Sequence, residues 1–281
     1  MLKFYVKTDK EAENLTATLF DIFKSKNIWK FRRYPALLQD SVMRIISRLT
    51  LKNELNKKDY VLNTSFVEYE YSAKRIDILS NCLQMINSDF ARSCLMRDSC
   101  NAELIQWIKN FEGENSKIIL FAHNGHLGKF TYFLPRVRTL STQGFYDAYP
   151  QELITGYYLK KIFGDKYYFI GTQFGNGFFM GFDSENDYQL SKLEVTFPEQ
   201  YSFPHLLRQT KKYPYFLDLM DIIMSDLTPE QVSDYFCSLQ SIYGIGAAFE
   251  SKYWKTHLIG FFDAIIYIDE VEESKVLDFD E

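Results

Sequence analysis

The chain has 281 residues, of which 46% are hydrophobic and 17% aromatic, enough to bury a proper core in one large domain or two modest ones. A net charge of −5 excludes the basic footprint of a nucleic-acid binder, and no apolar run is long enough to predict a membrane span. Cys82, Cys94, Cys100 and Cys237 lack the spacing of a zinc site, and Asp9, Glu11 and Glu13 interrupt the opening residues where a signal peptide would be apolar, so a soluble cytoplasmic protein without a cofactor is expected.

The first part of the chain reads as helical. "DKEAENLTATLFDIFKSKN" sets Leu15, Leu19, Ile22 and Phe23 on one face at helical spacing. "YPALLQDSVMRIISRL" starts after Pro35 and repeats the pattern with Leu37, Leu38, Val42, Ile45, Ile46 and Leu49. The run from Ser65 to Gly113 is too long for one standard helix. It predicts a break near "NSDF", with Asn87 or Ser88 capping a second half that ends at Gly113. On that half Leu95, Leu104, Ile105 and Ile108 are expected to face the core, with Arg97 and Asp98 on another side.

After residue 115 the period changes. "KIILFAHN" (117–124) is a continuous apolar run, as a central parallel strand covered on both faces requires. Further strands are predicted at 167–180, 215–221 and 263–270, with "KLEVTF" (192–197) outside the main order. "YPQELITGYYLKKIFGD" predicts an amphipathic helix stopped at Gly164, and Ser202 to Thr210 a shorter one. The alternation predicts an α/β fold, a mostly parallel sheet flanked by helices with a helical N-terminal portion. Residues 1–115 form the helical region and 116–281 the α/β sheet region, packed as one domain.

In such sheets, ligands bind beyond the carboxyl ends of the strands. "FAHNGHLGKF" (121–130) puts His123 at one of those ends and His126 in the turn that follows, with Gly125 and Gly128 to let the chain turn. Asn124 can bond local backbone or a ligand. Near neutral pH an imidazole can take a proton or, once charged, stabilise an oxyanion. Polar residues are also common at ordinary strand ends, so spacing alone weighs an active site and a structural turn equally. The two histidines would supply two metal ligands, but no third is specified, and no metal is assigned. Gln173 and Asn176 follow a neighbouring strand and would line the same cleft. The glycines around them lack the Lys-Ser/Thr ending of a phosphate loop. His205 and His257 read as surface histidines, and Asp263, Asp269 and Glu270 as solvated strand-end carboxylates. Phe130, Tyr132, Phe133, Phe145, Tyr146 and Tyr149 make either a wall for a bulky ligand or ordinary core.

"RDSCNAELIQWIKNFEGENSKIILFAHNGHLGKF" (97–130) resembles the erythromycin esterase family, in which an Arg-Asp helix segment leads into a strand ending in Ala-His-Asn-x-His. "GYYLKKIFGDKYYFIGTQFGNGFF" (156–179) is similar to that family's helix, Gly-Asp turn and Ile-Gly strand. "GIGAAFE" and "FFDAIIYIDEVEES" are similar to its closing segment, so the resemblance runs over roughly 90–275.

The resemblance implies a hydrolase that opens a small-molecule ester or lactone, such as a macrolide, by attack of water without a metal. By position, His123 and His126 match the motif's histidines, which would orient the water and stabilise the tetrahedral intermediate. Arg97 matches an arginine that reaches the same cleft, and Asp98 would orient a histidine or Arg97 itself. Asn124, Gln173 and Asn176 would contact substrate.

The family's early Gly-Glu-x-x-His-Gly motif, which carries the expected general base, has no counterpart here, because no histidine precedes His123. Three explanations are open: a part of a longer protein, a remnant that binds without catalysing, or an enzyme that uses His123 alone. Loss of the first strands would also bare an apolar sheet edge, so self-association or a missing N-terminal segment is expected.

Overall fold

The structure, a computed structural model, describes residues 2–129, 154–183, 189–211, 213–225, 230–243 and 253–274. The aromatic residues from Phe130 to Tyr149 and the "GIGAAFE" stretch lie outside the described residues. The chain divides into two compact units, Met1–Cys100 and Asn101–Glu281, and the division falls inside a continuous helix.

The first unit is helical. It comprises α1 (Leu2–Thr8), α2 (Lys10–Ser25), a 3₁₀ turn (Ile28–Arg33), α3 (Ala36–Leu55), α4 (Lys57–Asn63), α5 (Phe66–Asn87) and the start of α6 (Phe90–Glu112). Asp9 begins α2: its carboxylate accepts the Ala12 N–H at 2.9 Å, satisfying one of the helix's orphan donors. The same carboxylate accepts the Tyr60 hydroxyl at 2.7 Å and the Lys52 ammonium at 3.0 Å, which ties α2 to α3 and α4. Burial pushes the Asp9 carboxyl up, but these three bonds outweigh it and hold its pKa at about 2. The apolar faces expected from spacing meet, except that Leu37, in the first turn of α3, is 78% exposed. Leu19, Val42, Ile46, Leu49, Ile76 and Leu83 form the core, with Leu15, Ile22 and Phe23 packed at its edge.

The long helical run does break, but at a different cap. α5 ends at Ser88, and α6 starts from Asp89, whose carboxylate accepts the Arg92 N–H at 2.9 Å. Gly113 follows the end of α6 with φ +91°, a conformation that costs a residue without Cβ little. Asp98 does not lie on an outer side. It is 3% exposed and shares one face of α6 with the buried Ala102 and the partly buried Ile105.

The second unit continues with α7 (Asn124–Leu127), α8 (Thr155–Phe163), β1 (Ile170–Asp183), β2 (Gln189–Val195), α9 (Phe203–Gln209) and β3 (Tyr215–Asp218). After these come α10 (Leu219–Met224), α11 (Glu230–Cys237), β4 (Leu239–Tyr243), β5 (Tyr253–His257), α12 (Leu258–Phe261) and β6 (Ala264–Val271). The sheet order is β2-β1-β6-β3, and β4 pairs with β5 in a separate ribbon. This corrects the expectation of a mostly parallel sheet. β1 and β6 are parallel, while β2, β3 and the β4–β5 ribbon all pair antiparallel. The fold is mixed α/β with a small mixed sheet.

Two local causes separate expectation from outcome. At 215–221 the strand stops after four residues because the Asp218 carboxylate accepts the N–H groups of Met220 and Asp221 and so starts α10. At 117–123 no strand forms at all. Leu120 packs on the core of the unit, but Ile119 and Phe121 are fully exposed, at 96% and 103%. An apolar run of this kind needs cover on both faces, and among the described residues it has cover on one. The core beneath it is built by Leu159, Phe203, Phe261, Phe262, Ile265 and Tyr267.

Candidate active site

His123 has extended backbone, φ −62° and ψ 145°, and its side chain caps the one-turn helix α7. Its Nδ1 accepts the Gly125 N–H at 3.0 Å. An imidazole that accepts at Nδ1 carries its neutral-state proton on Nε2. The exposed His123 ring therefore presents a donor at Nε2 and not a basic lone pair. Service as a base through that nitrogen would require the proton to move and the cap to break. His126 follows one turn on, half-buried, its N–H bonded to the His123 carbonyl at 2.9 Å.

Asn124, between them, is bound to the backbone of a distant segment. Its Nδ2 donates to the Thr172 carbonyl at 2.8 Å, and the Thr172 N–H donates to its Oδ1 at 3.3 Å. The amide thus meets both backbone groups of one residue of β1, the pair of bonds a neighbouring strand would make there. It fixes the histidine turn to the strand edge. Gln173, the next residue of β1, uses its amide in the same way. The Tyr243 N–H donates to its Oε1 at 3.0 Å, and Gln173, 1% exposed, joins β1 to β4. Asn176 is half-buried on β1 opposite Glu270 of β6.

Gly128 is glycine for a reason other than the turn. Its φ of −55° suits any residue, but a Cβ there would lie 2.0 Å from the Phe261 ring. Behind it lies a feature that spacing did not reveal. Lys129 and Asp263 form an ion pair at 2.8 Å with exposures of 5% and 8%, and the second Asp263 oxygen accepts the Phe169 N–H at 2.8 Å. Asp263 is therefore a buried anchor and not a solvated strand-end carboxylate. The Tyr167 hydroxyl donates to the Leu127 carbonyl, and burial raises its pKa well above the usual phenol range. The available signal was apolar residues on both sides of Asp263 in "FFDAII", which argue for burial.

Arg97 and Asp98 belong to the first unit, the other candidates to the second. Arg97 donates to the Asp98 carboxylate at 2.9 Å, with the arginine side chain 43% exposed and the aspartate side chain buried. His205 and His257 bond locally, to the Gln209 side chain and the Cys237 carbonyl. Among the described residues, no three His, Cys, Asp or Glu side chains are grouped to hold a metal ion.

The structure brings His123, Asn124 and His126 together on one turn clamped to β1 of a mixed sheet. A profile of the erythromycin esterase family matches residues 5–271, and the chain belongs to that family. The match reaches back through the helical unit, far beyond the stretch 90–275 on which the resemblance was read.

Among solved structures, a Bacillus cereus protein superposes with a TM-score of 0.77 at 19% identity, over 99% of this chain and 64% of its own. A succinoglycan biosynthesis protein gives 0.73 at 15% identity, over 96% of this chain and 60% of its own. A histidine mutant of the erythromycin esterase EreC in its open conformation gives 0.67 at 17% identity, over 99% and 66%. The chain thus spans less than two thirds of the length of these relatives, and at such identities the likeness is one of fold. No curated protein sequence matches.

Proposed function

We propose that the chain is a cytoplasmic hydrolase of the erythromycin esterase type that opens an ester or lactone by attack of water. The observation that carries this is the His123 cap, which sets the family's histidine turn with Nδ1 as an acceptor and so places the neutral ring's proton on Nε2.

In this reading His126 holds the water and takes its proton as the oxygen bonds to the carbonyl carbon. His123 donates from Nε2 to the oxyanion that forms. Collapse of the intermediate breaks the carbon–oxygen bond to the alcohol, which leaves with the proton returned by His126. Asn124 acts by keeping the turn on β1, and Gln173 by keeping β1 in place, rather than by touching substrate. Asn176 supplies a polar contact at the substrate end of the same strand.

General-base service of this kind is worth a factor of about 10² to 10⁴ in rate. A second reading, favoured by the binding of Asn124 and Gln173 to backbone, is a scaffold that binds without catalysing. A panel of chromogenic esters and one macrolide, run beside His123→Ala, separates the two. Slow turnover abolished by the substitution supports the hydrolase, and turnover equal in both proteins refutes it. Thermal stabilisation by ligands without turnover selects the binding scaffold.

A further inference from the structure

α1 and α5 border a cleft of about 590 Å³ that lies wholly within the first unit. Small-molecule sites fall in this range of volume. Phe4, Val6 and Tyr71 supply apolar surface, and Ser72 a buried hydroxyl in the wall. Lys3 and Lys7 stand one turn apart on α1, and Arg75 faces the same space from α5. Among the described residues, none of these three cations pairs with a carboxylate. Glu68 is the one acidic side chain on the wall. The wall is net positive in a chain of net charge −5. A concave, partly apolar space with unpaired cations at its rim suits an anion that carries its own apolar body.

We propose that this cleft binds a medium-chain carboxylate, its head group among Lys3, Lys7 and Arg75 and its chain along Val6 and Tyr71. The site is separate from the histidine turn and does not depend on hydrolysis there. Titration calorimetry of the full chain with decanoate, with decylamine as the control of equal chain length, tests it. Decanoate is expected to saturate a single site, decylamine is not, and added salt is expected to weaken binding.

Arg75→Glu and the double variant Lys3→Glu/Lys7→Glu, all at exposed positions, are each expected to weaken decanoate by about tenfold or more. His123→Ala is expected to bind as the unaltered chain does, which distinguishes this cleft from a product carboxylate held at the esterase site. Equal binding of decylamine, or charge-reversed variants that bind decanoate undiminished, would overturn the proposal. So would association with phosphatidylglycerol vesicles in the absence of any decanoate binding.

Discussion

Lys129 and Asp263 meet across 134 residues of sequence, and their ion pair fastens the histidine turn to the start of β6. Removing one member of such a pair leaves an uncompensated charge in a water-poor site, which costs more than the pair itself contributes. Lys129→Met is expected to lower unfolding stability by about 3–5 kcal/mol. Lys129→Met/Asp263→Asn should recover part of that loss, because the amide oxygen still accepts the Phe169 N–H while the charge is gone. Urea denaturation of the two variants checks this, and a loss below 1 kcal/mol in the single variant would contradict a buried pair. The histidines and Asn124 were legible in the sequence because they sit together in one decapeptide. Their partners were not. Thr172, which receives Asn124, lies 48 residues away, and the burial of Asp263 depends on Phe169 and Lys129 arriving from distant segments.

The helices of the first unit were readable because their cores repeat at a local period. Val42, Ile46 and Leu49 need only the geometry of α3 to share a face. Caps were less readable, since Asn87, Ser88 and Asp89 all suit the position and the fold selects the aspartate by aligning it with the Arg92 N–H. Strands carry still less local information. An apolar run specifies burial, but neither the direction of its neighbour nor whether one is present. Thus β1 and β6 were placed correctly and do pair in parallel, while the antiparallel pairing of β3 was not foreseen. The run at 117–123 shows the limit most sharply. Its composition is that of a central strand, yet Ile119 and Phe121 face outward uncovered.

At the scale of the molecule, that open strip and the composition of the chain pull in different directions. A net charge of −5 favours solubility, whereas exposed Ile119 and Phe121 favour association. We propose that a second copy covers the strip, since two identical apolar segments can meet about a two-fold axis. Light scattering behind size-exclusion chromatography is expected to give a dimer, and Ile119→Lys/Phe121→Lys a monomer with unchanged helical content. A stable monomer of the unaltered chain would count against it. Among the described residues, no helix is long and apolar enough to cross a membrane.

The account as a whole turns on which nitrogen of His123 carries the proton, because that decides whether the family's histidine turn offers a donor or a base. A two-bond proton–nitrogen correlation spectrum of the imidazoles, assigned with His123→Ala, reads this directly while the ring is neutral. The account predicts the Nε2–H form for His123, with Nδ1 shifted as an acceptor. A spectrum showing the Nδ1–H form would contradict it.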